Sequence, residues 1–212
     1  LPIEGTTVGE RLVDETGKMG EKIEISNFQK LAGDHIASYI HNGKIGVLVA
    51  FKDGGKEGAD QFFRSVAMHI AAMSPSMLEP TAFEADFVAK ETESLQNQIK
   101  IENEDRTRLG KPLRNVPQYA SKCQLTPEVM QATEEAIKAE LKAEGKPEKI
   151  WDKIVPGKME RFVADNTLLD QEHCLLSQFY ALDETNSKTV GDAIKEFGDD
   201  AEIIDFKRVA VG

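Results

Sequence analysis

The sequence has few of the residues that build chemistry. There are two cysteines in 212 residues, Cys123 and Cys174, and neither has histidine or cysteine neighbours at metal-ligand spacing. That excludes a zinc site and a disulfide framework, and a reducing, cytoplasmic compartment fits. No apolar run approaches the roughly 18 residues that a helical membrane span requires. There is no basic block: 26 Lys and Arg are mixed among 37 Asp and Glu, for a formal charge of −11. Clustered cations are what release counterions from a phosphate backbone, so direct nucleic-acid binding is disfavoured. No GxxxxGK[ST] motif is present, and no glycine-rich loop opens a helix in a βαβ unit, so the chain itself should hold no nucleotide. The first residues, Leu1-Pro2-Ile3, include no initiator methionine and no charged-then-apolar leader. The expectation is a segment of a longer protein with any targeting signal out of view.

What is present is an amphipathic, soluble-looking chain, 40% apolar and 30% charged. Thr7-Val8-Gly9-Glu10 reads as a capping box that opens a short helix ending near Gly17 or Gly20. Ile23 and Ile25 alternate with polar residues and predict a half-buried strand. Ile36 to His41 and Lys44 to Phe51 are β-rich runs separated by Asn42-Gly43. That dipeptide suits the two positive-φ positions of a type I′ turn, so a β-hairpin is expected. Phe62, Val66, His69, Ile70 and Met73 then form one helical stripe between about Glu57 and Ser74, closed by Pro75.

From about Thr81 to Asp183 the sequence is polar and helix-favouring. Glu84 to Leu109 has thin apolar anchoring (Phe87, Val88, Leu95, Ile99, Ile101). Thr126-Pro127-Glu128 starts a second helix with Met130, Ile137 and Leu141 on its buried side. Trp151, Val155, Met159 and Phe162 mark a third, which Pro156 should kink or divide. Such narrow seams suit helices paired in a hairpin or coiled coil. Gly110-Lys111-Pro112 and Gly145-Lys146-Pro147 each come after an acidic helical stretch, which suggests a weakly duplicated arm. Ser187 is placed to cap a last helix bearing Val190, Ile194 and Phe197, stopped by Gly198, and Ile203 to Val211 reads as a final strand. The order is strand, strand, helix, long helical insertion, helix, strand: an α+β domain with a small antiparallel sheet, packed helices and a protruding helical arm.

No active site is apparent. Among the histidines, His41 should stand exposed beside the Asn-Gly turn, where it could meet a partner. His69, on an apolar stripe, should be a satisfied core residue. His173-Cys174 lacks further ligands, and Gly54-Gly55 sits in a short polar loop unsuited to cradling phosphate. No cofactor, metal or catalytic residue is expected.

Five segments in order carry a resemblance: His41 to Val49, Val66 to Pro75, Gly145 to Ile150, Ile154 to Met159 and Ser187 to Gly191. Together they resemble the signature segments of bacterial-type elongation factor Ts, across most of the chain except about Thr81 to Gln124. The resemblance implies a guanine-nucleotide exchange factor, not an enzyme, which binds the GTPase elongation factor Tu and promotes GDP release during translation elongation. It implies partner contacts at His41, at Met19-Gly20 (Ile-Gly in the family) and at Phe179-Tyr180 (Phe-Val in the family). It also implies a division into residues 1–32, the tail of a first core subdomain; 33–80 with 184–212, a second core subdomain; and 81–183, an inserted helical arm.

In the family a ubiquitin-associated-like helical module and a Thr-Asp-Phe-Val wedge precede this region, so both would lie before Leu1. Ala85-Asp86-Phe87-Val88-Ala89-Lys90 resembles the wedge but falls at the root of the arm, where it reads as the first turn of a helix. Without the family's wedge this piece is expected to bind weakly and exchange poorly. The competing expectation is a scaffold or dimerisation module, a homodimer formed through the helical arm. An enzymatic reading through Cys174 requires a site the sequence does not display.

Overall fold

The computed structural model describes residues 2–3, 5–185 and 187–211. Pro2–Ile3 (β1) pairs antiparallel with Thr6–Thr7 (β2), and helix α1 begins next, at Val8–Met19. The capping box is made: Thr7 Oγ1 accepts the Glu10 amide at 3.3 Å while Glu10 Oε2 accepts the Thr7 amide at 2.8 Å. The helix stops at Gly20, whose φ of 71° is the left-handed conformation that a helix C-cap favours, and Gly17 lies inside it.

The strand expected around Ile23 and Ile25 does not form. Extended backbone becomes a strand only where a neighbour takes up its peptide groups, and here the Ile23 amide turns back to Thr16 Oγ1 at 3.4 Å. Ile25 and Phe28 remain exposed.

The sheet has the order β3-β4-β5, from His35–His41, Ile45–Asp53 and Ala201–Ala210, antiparallel throughout. The β3–β4 turn is as expected: Asn42 and Gly43 have φ of 51° and 69°, and the Lys44 amide donates to the His41 carbonyl at 2.9 Å. A bulge opposite Ala50/Phe51 inserts an extra residue in β5, so Phe51 pairs with Ile203 and Ala50 with Asp205.

Helix α2 (Ala59–Met73) lies on one face of this sheet. Its deepest residues are Phe63, Val66, Ala67 and Ile70, all with no exposed surface. Phe63, not Phe62, is the residue that stacks on Phe51, with ring centroids 4.1 Å apart. Phe62 instead stacks on Phe197 of α7 (Val190–Phe197) at 4.5 Å, and Met73 is exposed. The stripe is therefore wider than the periodicity alone indicates, because two elements cover the helix. Each such buried aromatic or aliphatic side chain contributes about 1.5–3 kcal/mol of transfer free energy. Thr189, not Ser187, caps α7, in a capping box with Asp192, and Gly198 ends it.

Between α2 and α7 lie α3 (Ala85–Arg108), α4 (Pro127–Ala143), α5 (Trp151–Asp165) and α6 (Leu168–His173). The helices α4 and α5 pack as a hairpin around Ile137, Leu141 and Val155, with Trp151, Ile154 and Met159 against them. A separate small cluster joins Val88 of α3 to Ala120 and Leu169. Helix α5 runs through Pro156 without dividing. The carbonyl that loses its donor belongs to Asp152, an exposed residue in the first turn of the helix, so the loss falls at the helix start.

The two Gly-Lys-Pro segments are the same helix stop. Lys111 donates to the Arg106 carbonyl at 2.9 Å and Gly110 to Thr107 at 3.2 Å; Lys146 donates to Leu141 and Gly145 to Lys142, both at 3.0 Å. Each is the paired bonding of a Schellman motif around a left-handed glycine. The chain continues differently from the two stops: irregular after Gly110, a short 3-10 turn and then α5 after Gly145. The repetition is one of termination chemistry and not of a duplicated arm.

The chain leaves the core for these helices and returns through paired segments. Ser76 and Met77 donate to the His173 carbonyl at 3.0 and 3.2 Å, Leu175 donates to Met77 at 2.9 Å, and Leu176 to Leu78 at 3.2 Å. The result is a short parallel bridge between Met77 and Cys174.

Candidate partner-binding surface

The hairpin tip is pre-shaped. His41, exposed, is the last residue of β3, and its ring is held from both sides: Nδ1 lies 2.9 Å from Tyr39 Oη and Nε2 lies 3.2 Å from Asn42 Nδ2. Both ring nitrogens therefore lie within hydrogen-bond reach of a neighbouring side chain. Tyr39 in turn packs against the hydrophobic core. An exposed imidazole braced on a rigid turn loses little rotamer freedom when a partner covers it.

Met19 is 65% exposed at the end of α1, and Gly20 is the left-handed cap that ends the helix beneath it. Phe179 and Tyr180 point opposite ways. Phe179 is exposed and its backbone bridges to Thr189. Tyr180 is buried, its hydroxyl 2.6 Å from Ser65 Oγ and its ring tilted against Phe62 and His69. Burial pushes the Tyr180 phenol up, partly offset by that hydrogen bond. Phe179 is therefore open to a partner, whereas Tyr180 is held in the core and shows only the part that lines the neighbouring cavity. Among the described residues no hydrogen bond, ion pair or ring contact joins Met19-Gly20, His41 and Phe179 to one another.

Beside Tyr180, the loop that leads into α7 is organised by one carboxylate. Asp183 accepts the Ser187 amide at 2.9 Å, the Lys188 amide at 3.1 Å and the Thr185 hydroxyl at 2.8 Å. These donors, the Ser187 amide foremost, hold the Asp183 carboxyl down to about 2. With Phe62, Leu182, Lys188, Glu196 and Phe197 the loop borders an open cavity of about 320 Å³. No motif marks Asp183 in the sequence beyond an Asp two residues before Thr185.

The remaining candidate chemistry is accounted for. His69 is buried, with Nδ1 accepting the Ala181 amide at 3.1 Å and Nε2 3.0 Å from Gln178 Oε1. Its Nε2–H therefore donates to Gln178, and burial keeps the ring neutral by lowering its pKa. Cys174 has no exposed surface, and burial pushes its thiol up to about 12, so it carries no thiolate for catalysis. No group of His, Cys, Asp and Glu able to hold a metal ion occurs among the described residues. No described helix is long and apolar enough to cross a membrane. The wedge look-alike forms the first turns of α3, where Phe87 stacks on Phe83 with centroids 5.6 Å apart.

One residue of interest carries no motif of its own. The pairing Tyr39–Val47–Arg208 places Arg208 on the core-facing side of β5, in the row next to His41–Ile45–Ala210. Its Nε is buried and has no hydrogen-bond partner among the described residues. The signal that could have found it is alternation, which from Phe206 puts residue 208 on the inward face.

The family model described as elongation factor TS matches residues 1–116 and 114–212. The chain belongs to the elongation factor Ts family. The first match runs through residues 81–116, a stretch that the signature segments leave uncovered. Proteins named elongation factor Ts are similar along the whole length: 69% identity to that of Rhodopirellula baltica over 100% of this chain, and 48% to that of Flavobacterium johnsoniae over 98%. That of Campylobacter curvus is 42% identical over 99% of the chain. The chain spans 65%, 63% and 62% of these relatives' own lengths. The α+β architecture with a small three-stranded antiparallel sheet agrees with the fold expected of an elongation factor Ts core.

Proposed function

We propose that this chain is the part of an exchange factor that docks on elongation factor Tu and promotes its release of GDP during translation elongation. The observation that carries the reading is His41, held on an exposed, rigid hairpin tip in a chain of the elongation factor Ts family. His41, Met19-Gly20 and Phe179 are the contact residues, with Tyr180 tying the same segment to α2 through Ser65. Residues 33–80 and 184–212 act as the second core subdomain, residues 1–32 as the tail of the first, and 81–183 as the arm.

Exchange needs no bond-making residue. A protein that binds the nucleotide-free GTPase more tightly than the GDP-bound form lowers the affinity for GDP by the same factor, by linkage. The work is done by surface complementarity, which suits a chain of charge −11 with a braced histidine ring at a loop tip. It acts on a protein and neither on nucleic acid nor as an enzyme on a small substrate.

The test is release of a fluorescent GDP from elongation factor Tu with excess chain, compared with the His41→Ala form. Faster release that weakens on substitution is the expected result. Binding without faster release would confine the chain to docking. Neither binding nor release would overturn the reading and turn attention to the arm as an assembly element.

A further inference from the structure

Between α2, the loop before α7 and the last turn of α7 lies the open cavity of about 320 Å³. Its floor is aromatic. Phe62 stacks on Phe197 with centroids 4.5 Å apart, and the Tyr180 ring tilts against Phe62 at 6.5 Å. The faces of such rings attract cations. The rim is acidic: Asp183 and Glu196 stand there against a single cation, Lys188. Asp183 keeps its charge at neutral pH, because the loop donors hold its carboxyl down to about 2. Lys188 pairs with Glu196 Oε2, while Glu196 Oε1 accepts no hydrogen bond among the described residues. Glu196 and Phe197 also belong to the C-terminal turn of α7, where the carbonyl ends of the helix add partial negative charge.

We infer that this cavity is a docking site for an arginine side chain of the protein partner. The inference rests on the docking function proposed above and adds a further point of contact, walled by the same segment that presents Phe179. A guanidinium matches both halves of the site. Its flat, weakly hydrated face lies on a ring while its N–H groups reach a carboxylate. A cavity of this volume is at the lower end of what takes a ligand, so it suits one side chain and not a stretch of peptide. An acidic side chain would be repelled by Asp183 and Glu196, and a purely apolar one would cover their charge without offering a donor. The −11 charge of the chain favours approach of a basic surface in the same sense.

Two measurements decide it. In the first, N-acetyl-arginine amide is titrated into the unaltered chain at constant ionic strength, and the Leu182, Lys188 and Ala193 amides are followed in a ¹H–¹⁵N spectrum. Saturable shifts at these amides are expected, larger than those produced by the corresponding norleucine and lysine amides. No saturable shift, or an equal response to either of the other two, overturns the assignment. In the second, affinity for elongation factor Tu is compared for the unaltered chain, Glu196→Lys and Lys188→Gln, both at side chains open to solvent. Glu196→Lys should weaken binding about 10-fold, and less at high salt, because it reverses the charge of the rim. Lys188→Gln frees Glu196 for the incoming cation and should leave binding as tight or tighter. Equal weakening by both would make the ion pair a brace of the loop and overturn the inference, as would Glu196→Lys binding as tightly as the unaltered chain. If the unaltered chain does not bind the GTPase at all, the docking function falls, and the arginine titration alone judges the site.

Discussion

His69 and Gln178 share a hydrogen bond of 3.0 Å in the centre of the core, joining α2 to the segment that precedes α7. The imidazole also accepts the Ala181 amide, and Gln178 passes the linkage on to the Glu172 carbonyl at 2.8 Å. A polar chain of this kind specifies which residues of the returning segment lie against α2.

Replacing His69 by Leu keeps most of the volume and orphans both Gln178 Oε1 and the Ala181 amide. The expected loss is about 2–4 kcal/mol of unfolding free energy by urea titration. The pH dependence has a definite sign. Burial lowers the His69 pKa below 6.5, so the unfolded chain takes up a proton before the folded one does. Its contribution is complete above about pH 6.5 and is lost as pH falls from there toward the depressed folded value. The His69→Leu form should lack that portion of the acid limb.

Asp183 behaves in a lower window. Its carboxyl is held down to about 2, so the loop bonds persist through the ordinary carboxylate range and fail only as pH falls from near 3.8 toward 2. Asp183→Asn should raise the hydrogen-exchange rates of the Ser187 and Lys188 amides already at neutral pH. Unchanged rates would remove the carboxylate as organiser of the loop.

Much of this is legible in the sequence, and the failures have physical causes. Caps, the Asn-Gly hairpin and the α2 stripe are local signals, written in residues within one or two turns of each other. The expected strand at Ile23 and Ile25 fails because pairing is non-local: alternation shows a residue pattern but not whether a neighbour exists. Ser187 does not cap α7 because Asp183 engages its amide and hydroxyl, leaving Thr189 to do the capping. His41 stands out through its turn, whereas Arg208 becomes visible only when the register of three strands is known.

The two Schellman glycines offer a matched pair. A Cβ at Gly110 or Gly145 would meet nothing within 4 Å, so substitution by Ala carries only the cost of a left-handed backbone. Gly110→Ala and Gly145→Ala should each destabilise by about 1–2 kcal/mol, seen as faster exchange of the last amides of α3 and α4 respectively. A much larger loss at either would mean that the glycine is packed.

Leu141 has no exposed surface and sits in a cluster separate from the one under the sheet. Leu141→Ala should cost about 2–5 kcal/mol locally. Protection should fall across α4 and α5 while the β4 amides from Val47 to Phe51 keep theirs; loss in both would show that the clusters unfold together.

Thiol reactivity is a simple check on burial. Cys123 is exposed and Cys174 is enclosed with its thiol pushed up to about 12. A disulfide reagent should label Cys123 alone in the folded chain, and label both only in denaturant. Prompt native labelling of Cys174 would contradict the packing around it.

The paired segments at Ser76–Leu78 and His173–Leu176 make the helices between them a loop on a stalk. Because the stalk is tied by peptide groups, its integrity does not depend on which side chains lie farther out. Substitutions in the α4–α5 hairpin should therefore leave these backbone bonds in place. A force applied at the far end of α4 and α5 arrives at the core as torque on one narrow stem, delivered beside the buried Gln178 and the α7 cap.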